Sequence, residues 1–130
     1  MGNVDTVKAA WDAFQRGDMD GVMASYTDDV RWDGWNAKDL PGGGRFEGKA
    51  EVGEMLGQWG PENFEEFSAT PDEFHESEDS VIVLGHAEGK AKGGGSFKAP
   101  FVHVNRFQAG KVSEVLALTD TAVLRDAFRG

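Results

Sequence analysis

The 130-residue chain contains no cysteine. Disulfides, thiol nucleophiles and cysteine-ligated metals are therefore excluded. Positive charge is scarce: 13 Lys and Arg stand against 23 Asp and Glu, for a formal net charge of −10. That balance repels a phosphate backbone and no basic patch offsets it, so nucleic-acid binding is not expected. Long apolar runs are missing too, which argues against a membrane span. The start "MGNVDT" lacks the basic residues and apolar run of a signal peptide. Gly2 and Thr6 fit the loose myristoylation pattern, but Val4 onward reads as folded helix and no basic cluster supplies a second anchor. A cytoplasmic protein is expected. What is present, 39% apolar and 28% charged residues, is ordinary globular composition. The length suits one domain over 1–130.

Val4, Val7, Trp11 and Phe14 share a helical face, with Asn3 or Asp5 as cap and Gly17 as stop. Asp18 can cap a second short helix, whose stripe is Met19, Val22, Met23 and Tyr26. "DDVRWDGW" reads as a strand, and "LPGGGRFEG" as a turn-rich connection. Gly48 opens a third helix with Val52, Met55, Leu56 and Trp59 on one face, and Pro61 is expected to stop it. Strands follow. "FEEFSATPDEF" is interrupted by Pro71 and reads as an edge strand. "SVIVLGHAEGKA", "FKAPFVHVNRF" and "KVSEVLALTD" come next, then a short helix after Asp120. Helices gathered early and antiparallel strands late give an α+β class, with helices covering one face of a curved sheet.

Ala99, Phe101, His103, Asn105 and Phe107 share one strand face. An imidazole and an amide on an apolar face need a partner or a cavity. The turn at Gln108-Ala109-Gly110 sets what they oppose. A two-residue turn puts His103 opposite Leu116, with Asp120 on its face; a three-residue turn puts it opposite Val115 and turns Asp120 away unless a bulge corrects it.

The element order, with "AFQRGDMDGVMASYTDDVRW", "GGGRFEGKAEV", "VHVNRFQAGKVSEV" and "TDTAVL", resembles the SnoaL-like branch of the nuclear transport factor 2-like superfamily. That superfamily includes ketosteroid isomerase, polyketide cyclases and limonene epoxide hydrolase. The resemblance implies a cone-shaped α+β barrel, with N-terminal helices packed in a strongly curved, mostly antiparallel sheet. It implies a pocket at the open end, and a homodimer through the outer sheet face. It places His103 where ketosteroid isomerase keeps an acid that hydrogen-bonds the substrate oxyanion. Asp120 falls near the aspartate base of polyketide cyclases and epoxide hydrolases, although "TDTAVL" equally opens a helix capped by Asp120. His86 and Glu88 have the spacing of the Arg-x-Asp pair of limonene epoxide hydrolase; a solvated strand end is the competing reading. At the position of the isomerase's catalytic aspartate stands Gly34, with Asp33 one residue off and so on the opposite face. Ala10 replaces its tyrosine.

The expected catalytic residues are thus His103 and Asp120. The expected ligand contacts are Tyr26, Trp32, Trp35, His86, Glu88, Phe101 and Asn105. Trp11, Phe14 and Trp59 read as helix core. Compact metal-binding spacings such as HExxH do not occur, and neither a metal nor a cofactor is expected. "GGRFEGKA" nearly fits a phosphate loop, but Ala50 lacks the hydroxyl for magnesium and Glu47 repels phosphate. The expected function is binding of a small hydrophobic molecule, with proton abstraction beside a carbonyl. The alternatives are a non-catalytic binding or dimerisation module, and water activation of the epoxide-hydrolase kind.

Overall fold

A computed structural model of the protein describes residues 2–35, 37 and 39–129. The helices are α1 (Asn3–Gln15), α2 (Met19–Met23), α3 (Gly48–Asn63) and α4 (Thr121–Arg129). The strands are β1 (Tyr26–Asp33), β2 (Arg45–Glu47), β3 (Phe64–Glu76), β4 (Ser80–Ala91), β5 (Ser96–Gln108) and β6 (Lys111–Thr119). They form one open sheet in the order β2-β1-β6-β5-β4-β3. Its pairs are antiparallel except β1 with β6, which run parallel. This is the α+β class that the element order implies and the cone architecture that the resemblance implies.

The helices follow their apolar stripes with local corrections. Asn3 and Asp5 do not cap α1; the helix already includes them, and Gly2 holds the cap position. Asp18 does cap α2, accepting from the Gly21 N–H at 2.9 Å. Tyr26 leaves the expected helical stripe, because α2 ends at Met23 and Tyr26 pairs with Val112 as the first residue of β1. Pro61 does not stop α3, which runs two residues further. The Asn63 side-chain amide then donates to the Trp59 carbonyl at 2.8 Å, satisfying one of the helix-end acceptors. The short strand β2, read from the sequence as part of a turn, pairs with β1 at Arg31–Asp33. Pro71 sits on the edge strand β3, where the register to β4 shifts between Pro71 and Glu73.

The β5–β6 hairpin decides the inner face. Ala109 and Gly110 both have positive φ, 52° and 80°, as a two-residue hairpin turn requires. Gln108 pairs with Lys111, but a bulge then inserts Ser113, so Arg106 meets Glu114. The extra residue shifts everything beyond it by one. His103 therefore faces Ala117, neither Leu116 nor Val115. Asp120 lies past the last paired residue, Thr119.

Between the sheet and the helices, Val30, Val52, Val112 and Val115 pack with Trp32 in one buried cluster. A second holds Phe64, Phe97 and Leu124, and a third Val7, Val81, Val83 and Phe101. Gly85 lets the third close: a Cβ there would collide with the Phe101 ring and the Thr70 carbonyl. Val115 is almost wholly buried. Val115→Ala should lower unfolding free energy by about 2 kcal/mol in urea titration, through lost transfer energy and the void left behind. A change within about 0.5 kcal/mol, as at an ordinary surface site, would contradict this packing.

Candidate functional site

The inner sheet face is a series of paired rows. Tyr26, Val112 and Phe107 form the first; Trp32, Val115 and Asn105 the second; Ala117 and His103 the third; Thr119 and Phe101 the fourth. Rows two residues apart along a strand are separated by about 7 Å. The cross-strand partners of His103 are small, Ala117 on β6 and Val83 on β4.

Over the rows lie Trp11 and Phe14 of α1, Val22 of α2, and Met55, Leu56 and Trp59 of α3. Trp35 just past β1, Gly42 of the glycine-rich segment and Leu124 of α4 close the end. Together they enclose a cavity of about 120 Å³. An apolar cavity of about 150 Å³ accommodates benzene, so the space suits one six-membered ring. Among the described lining residues there is no Asp, Glu, Lys or Arg; the titratable ones are Tyr26 and His103.

His103 sits in an aromatic cage. Its ring centroid lies 4.9 Å from Phe101, 5.2 Å from Trp32 and 5.6 Å from Trp11. Burial among these rings disfavours the charged form and pushes the imidazole pKa down to about 4. At neutral pH the ring is uncharged, with one nitrogen donating and one accepting. Burial moves Tyr26 the other way, above the ordinary phenol range, so its hydroxyl keeps its proton. The Asn105 amide donates to the Val81 carbonyl at 3.2 Å, and its oxygen stays available for a ligand. The Thr119 hydroxyl donates to the Pro100 carbonyl at 2.9 Å and can still accept.

Of the expected site residues, Tyr26, Trp32, Trp35, Phe101, His103 and Asn105 line the cavity together. Asp120 does not. Its carboxylate accepts from the Val123 N–H at 3.2 Å and caps α4, and the Ser113 bulge leaves it beyond the paired strand. The structure does not bring it to His103. His86 and Glu88 also stand outside the cavity, since they share their face with the exposed Ile82. His86 instead meets Asp72 at 2.8 Å, and Glu88 borders a shallow surface cleft with Glu66. Asp33 is held outside by Arg45 at 2.7 Å and Arg31 at 3.4 Å. No three His, Asp or Glu side chains converge as a metal site among the described residues. Trp11, Phe14 and Trp59, read as helix core, line the cavity. Helical spacing signals burial, but not whether the buried ring meets another side chain or a void. Thr119 was missed because the bulge, not the pattern, turns it inward.

Residues 7–115 match the family model for the SnoaL-like domain. The chain belongs to the SnoaL-like family. Solved structures of the nuclear transport factor 2-like fold superpose over its whole length. An NTF2-like protein of unknown function from Burkholderia pseudomallei is 34% identical, covers 100% of both chains and gives a TM-score of 0.90. TerC, crystallised with polyporic acid, is 26% identical over 98% of each chain, with a TM-score of 0.88. A protein from Jannaschia assigned as a SnoaL-like polyketide cyclase shares the fold at 18% identity, covering 97% of this chain and 90% of its own, with a TM-score of 0.81. Comparison with curated protein sequences finds no match. No helix among the described residues of this SnoaL-like protein is long and apolar enough to cross a membrane.

The cage has a measurable consequence for stability. Unfolded, His103 titrates near 6.5; folded, it stays neutral down to about 4. Between those values the unfolded chain binds more protons, so this contribution is intact above pH 6.5 and lost as pH falls toward 4. From pH 7 to pH 5 it removes about 2 kcal/mol. Urea titrations of His103→Phe should show a pH 7-to-5 loss smaller than the wild type's by that amount. Equal losses would mean the imidazole is not held neutral by burial.

Proposed function

We propose that the cavity binds a compact, neutral ring compound carrying a carbonyl or enol oxygen, and catalyses proton transfer beside that carbonyl. One observation carries the reading: two titratable groups lining the same apolar cavity have their pKa values pushed apart. Such a pair supplies an acid and a base at one pH. Tyr26 keeps its proton and donates a hydrogen bond to the ligand oxygen. His103, neutral, takes the proton from the adjacent carbon. The C–H electron pair becomes the enolate, and the proton rests on the imidazole until it returns to carbon or oxygen. A base of low pKa is weak in the empty cavity. An enolate forming beside it stabilises the imidazolium, because opposite charges interact strongly away from water. The Asn105 carbonyl accepts a hydroxyl elsewhere on the ring. This is isomerase- or cyclase-type chemistry, in keeping with a SnoaL-like fold and with the Jannaschia relative.

Incubation with cyclohexanone in D2O tests it. NMR should show α-proton exchange faster than in buffer, reduced at least tenfold by His103→Phe and by Tyr26→Phe. Asp120→Ala, which removes a helix cap, should exchange as the wild type does. Exchange no faster than in buffer, with binding retained, would support the second reading, a non-catalytic ligand-binding module. The absence of any carboxylate from the described lining favours that second reading.

We also propose that two copies pair through the outer sheet face. Ile82, Leu116 and Leu118 are 37%, 39% and 46% exposed there, an unusual placement for large apolar side chains. Arg31, Glu114 and Arg106 form a charged rim beside them, with Arg31–Glu114 at 2.6 Å. Sedimentation should give a dimer for the wild type and a monomer for Leu118→Glu. A monomeric wild type would refute the pairing.

A further inference from the structure

Two buried donors have no part in the reading above. Trp35 Nε1 and Trp59 Nε1 are closed off from solvent and have no acceptor among the described residues. A buried donor without an acceptor is destabilising, and most proteins avoid it. Both side chains line the cavity. Their rings meet edge to face, with centroids 5.7 Å apart at 65°. An N–H near a ring face recovers only part of what an oxygen acceptor provides.

The two indoles converge on Gly42. A Cβ placed there would stand 2.7 Å from Trp59 Nε1 and 2.8 Å from Trp35 Cζ2. Gly42 also has φ of 84°, which disfavours any other residue. It begins a run of three glycines, the part of the wall with the least side-chain bulk. Trp59 belongs to the cluster around Phe64, Phe97 and Leu124, whereas His103 is caged by Trp11, Trp32 and Phe101. Trp59 therefore marks a different wall from the imidazole, and Trp35 borders both clusters.

We propose that Trp35 and Trp59 form a second polar subsite, whose indole N–H groups donate to a carbonyl oxygen of the ligand. The proposal rests on the cavity reading above and narrows its ligand class. The ligand is a single ring with two oxygens, one meeting His103 and Tyr26 and a second, uncharged acceptor meeting the indoles across Gly42. A carboxylate is disfavoured, because no cation among the described residues lines the cavity to balance it. An oxygen of the ligand supplies the acceptor that the described residues do not provide.

Two ring probes of similar shape test this at pH 6: 4-hydroxyacetophenone, and 4-ethylphenol, which lacks the carbonyl. Ligand-observed NMR should show the ketone binding about tenfold more tightly to the wild type. In ¹⁵N-labelled protein, the indole N–H signals of Trp35 and Trp59 should move downfield with the ketone and stay in place with 4-ethylphenol. Trp59→Phe and Trp35→Phe should each reduce the ketone's advantage and leave 4-ethylphenol affinity within about threefold. The wild-type comparison and the indole shifts need no variant, so a poorly folding substitution does not spoil the test. If both probes bind equally and the indole signals do not move, the subsite is wrong while the cavity reading stands. If neither probe binds, the cavity reading fails and the subsite with it.

Discussion

One extra residue in one strand fixes the interior of this protein. Ser113 bulges from β6, and every pairing between β5 and β6 beyond it is displaced by one position. A strand shows alternate faces to its surroundings, so a displacement of one exchanges inside for outside along the partner. With the bulge, Val115, Ala117 and Thr119 oppose Asn105, His103 and Phe101. Without it, Leu116 and Leu118 would turn inward and fill the space that is now the cavity. The imidazole, the amide and the void are consequences of the same local geometry.

Charge is sorted as strictly as register. The chain has a net charge of −10, yet none of it reaches the described cavity lining. Arg31, Asp33, Arg45 and Glu114 pair with one another on the far side of the sheet. Inside, aromatic rings make a medium of low polarity, where a neutral imidazole and a protonated phenol are the stable forms. Such a medium rejects ions and strengthens each hydrogen bond it holds. Selectivity for an uncharged ring follows from the lining as a whole rather than from one contact.

Much of this was legible in the sequence, because periodicity survives folding. The shared face of Phe101, His103 and Asn105 is a property of any extended chain. The apolar stripes of α1 and α3 likewise mark which faces are buried. Three things were not legible. Ser113 is an ordinary polar residue, and nothing in its neighbourhood marks a bulge; the bulge arises where β6 must pair with β1 on one side and β5 on the other. Tyr26 continues a helical spacing by coincidence, and its partner in β6 overrides that local preference. Asp120 reads equally as a strand-end base and as a helix cap, and only the completed register separates the two.

The parallel pairing of β1 with β6 has a further consequence. It joins residues 26–33 to residues 112–116, across most of the sequence, while the pairings β3–β4, β4–β5 and β5–β6 join strands adjacent in the chain. Contacts of large sequence separation close late, because the intervening loop must first lose its entropy. The antiparallel strands can therefore assemble while Tyr26 and Trp32 still lack their places. Until β1 docks, His103 lacks the Trp32 side of its cage, and that side of the aromatic face stands open to water. For a growing chain, that interval is when this apolar surface is most exposed to wrong partners.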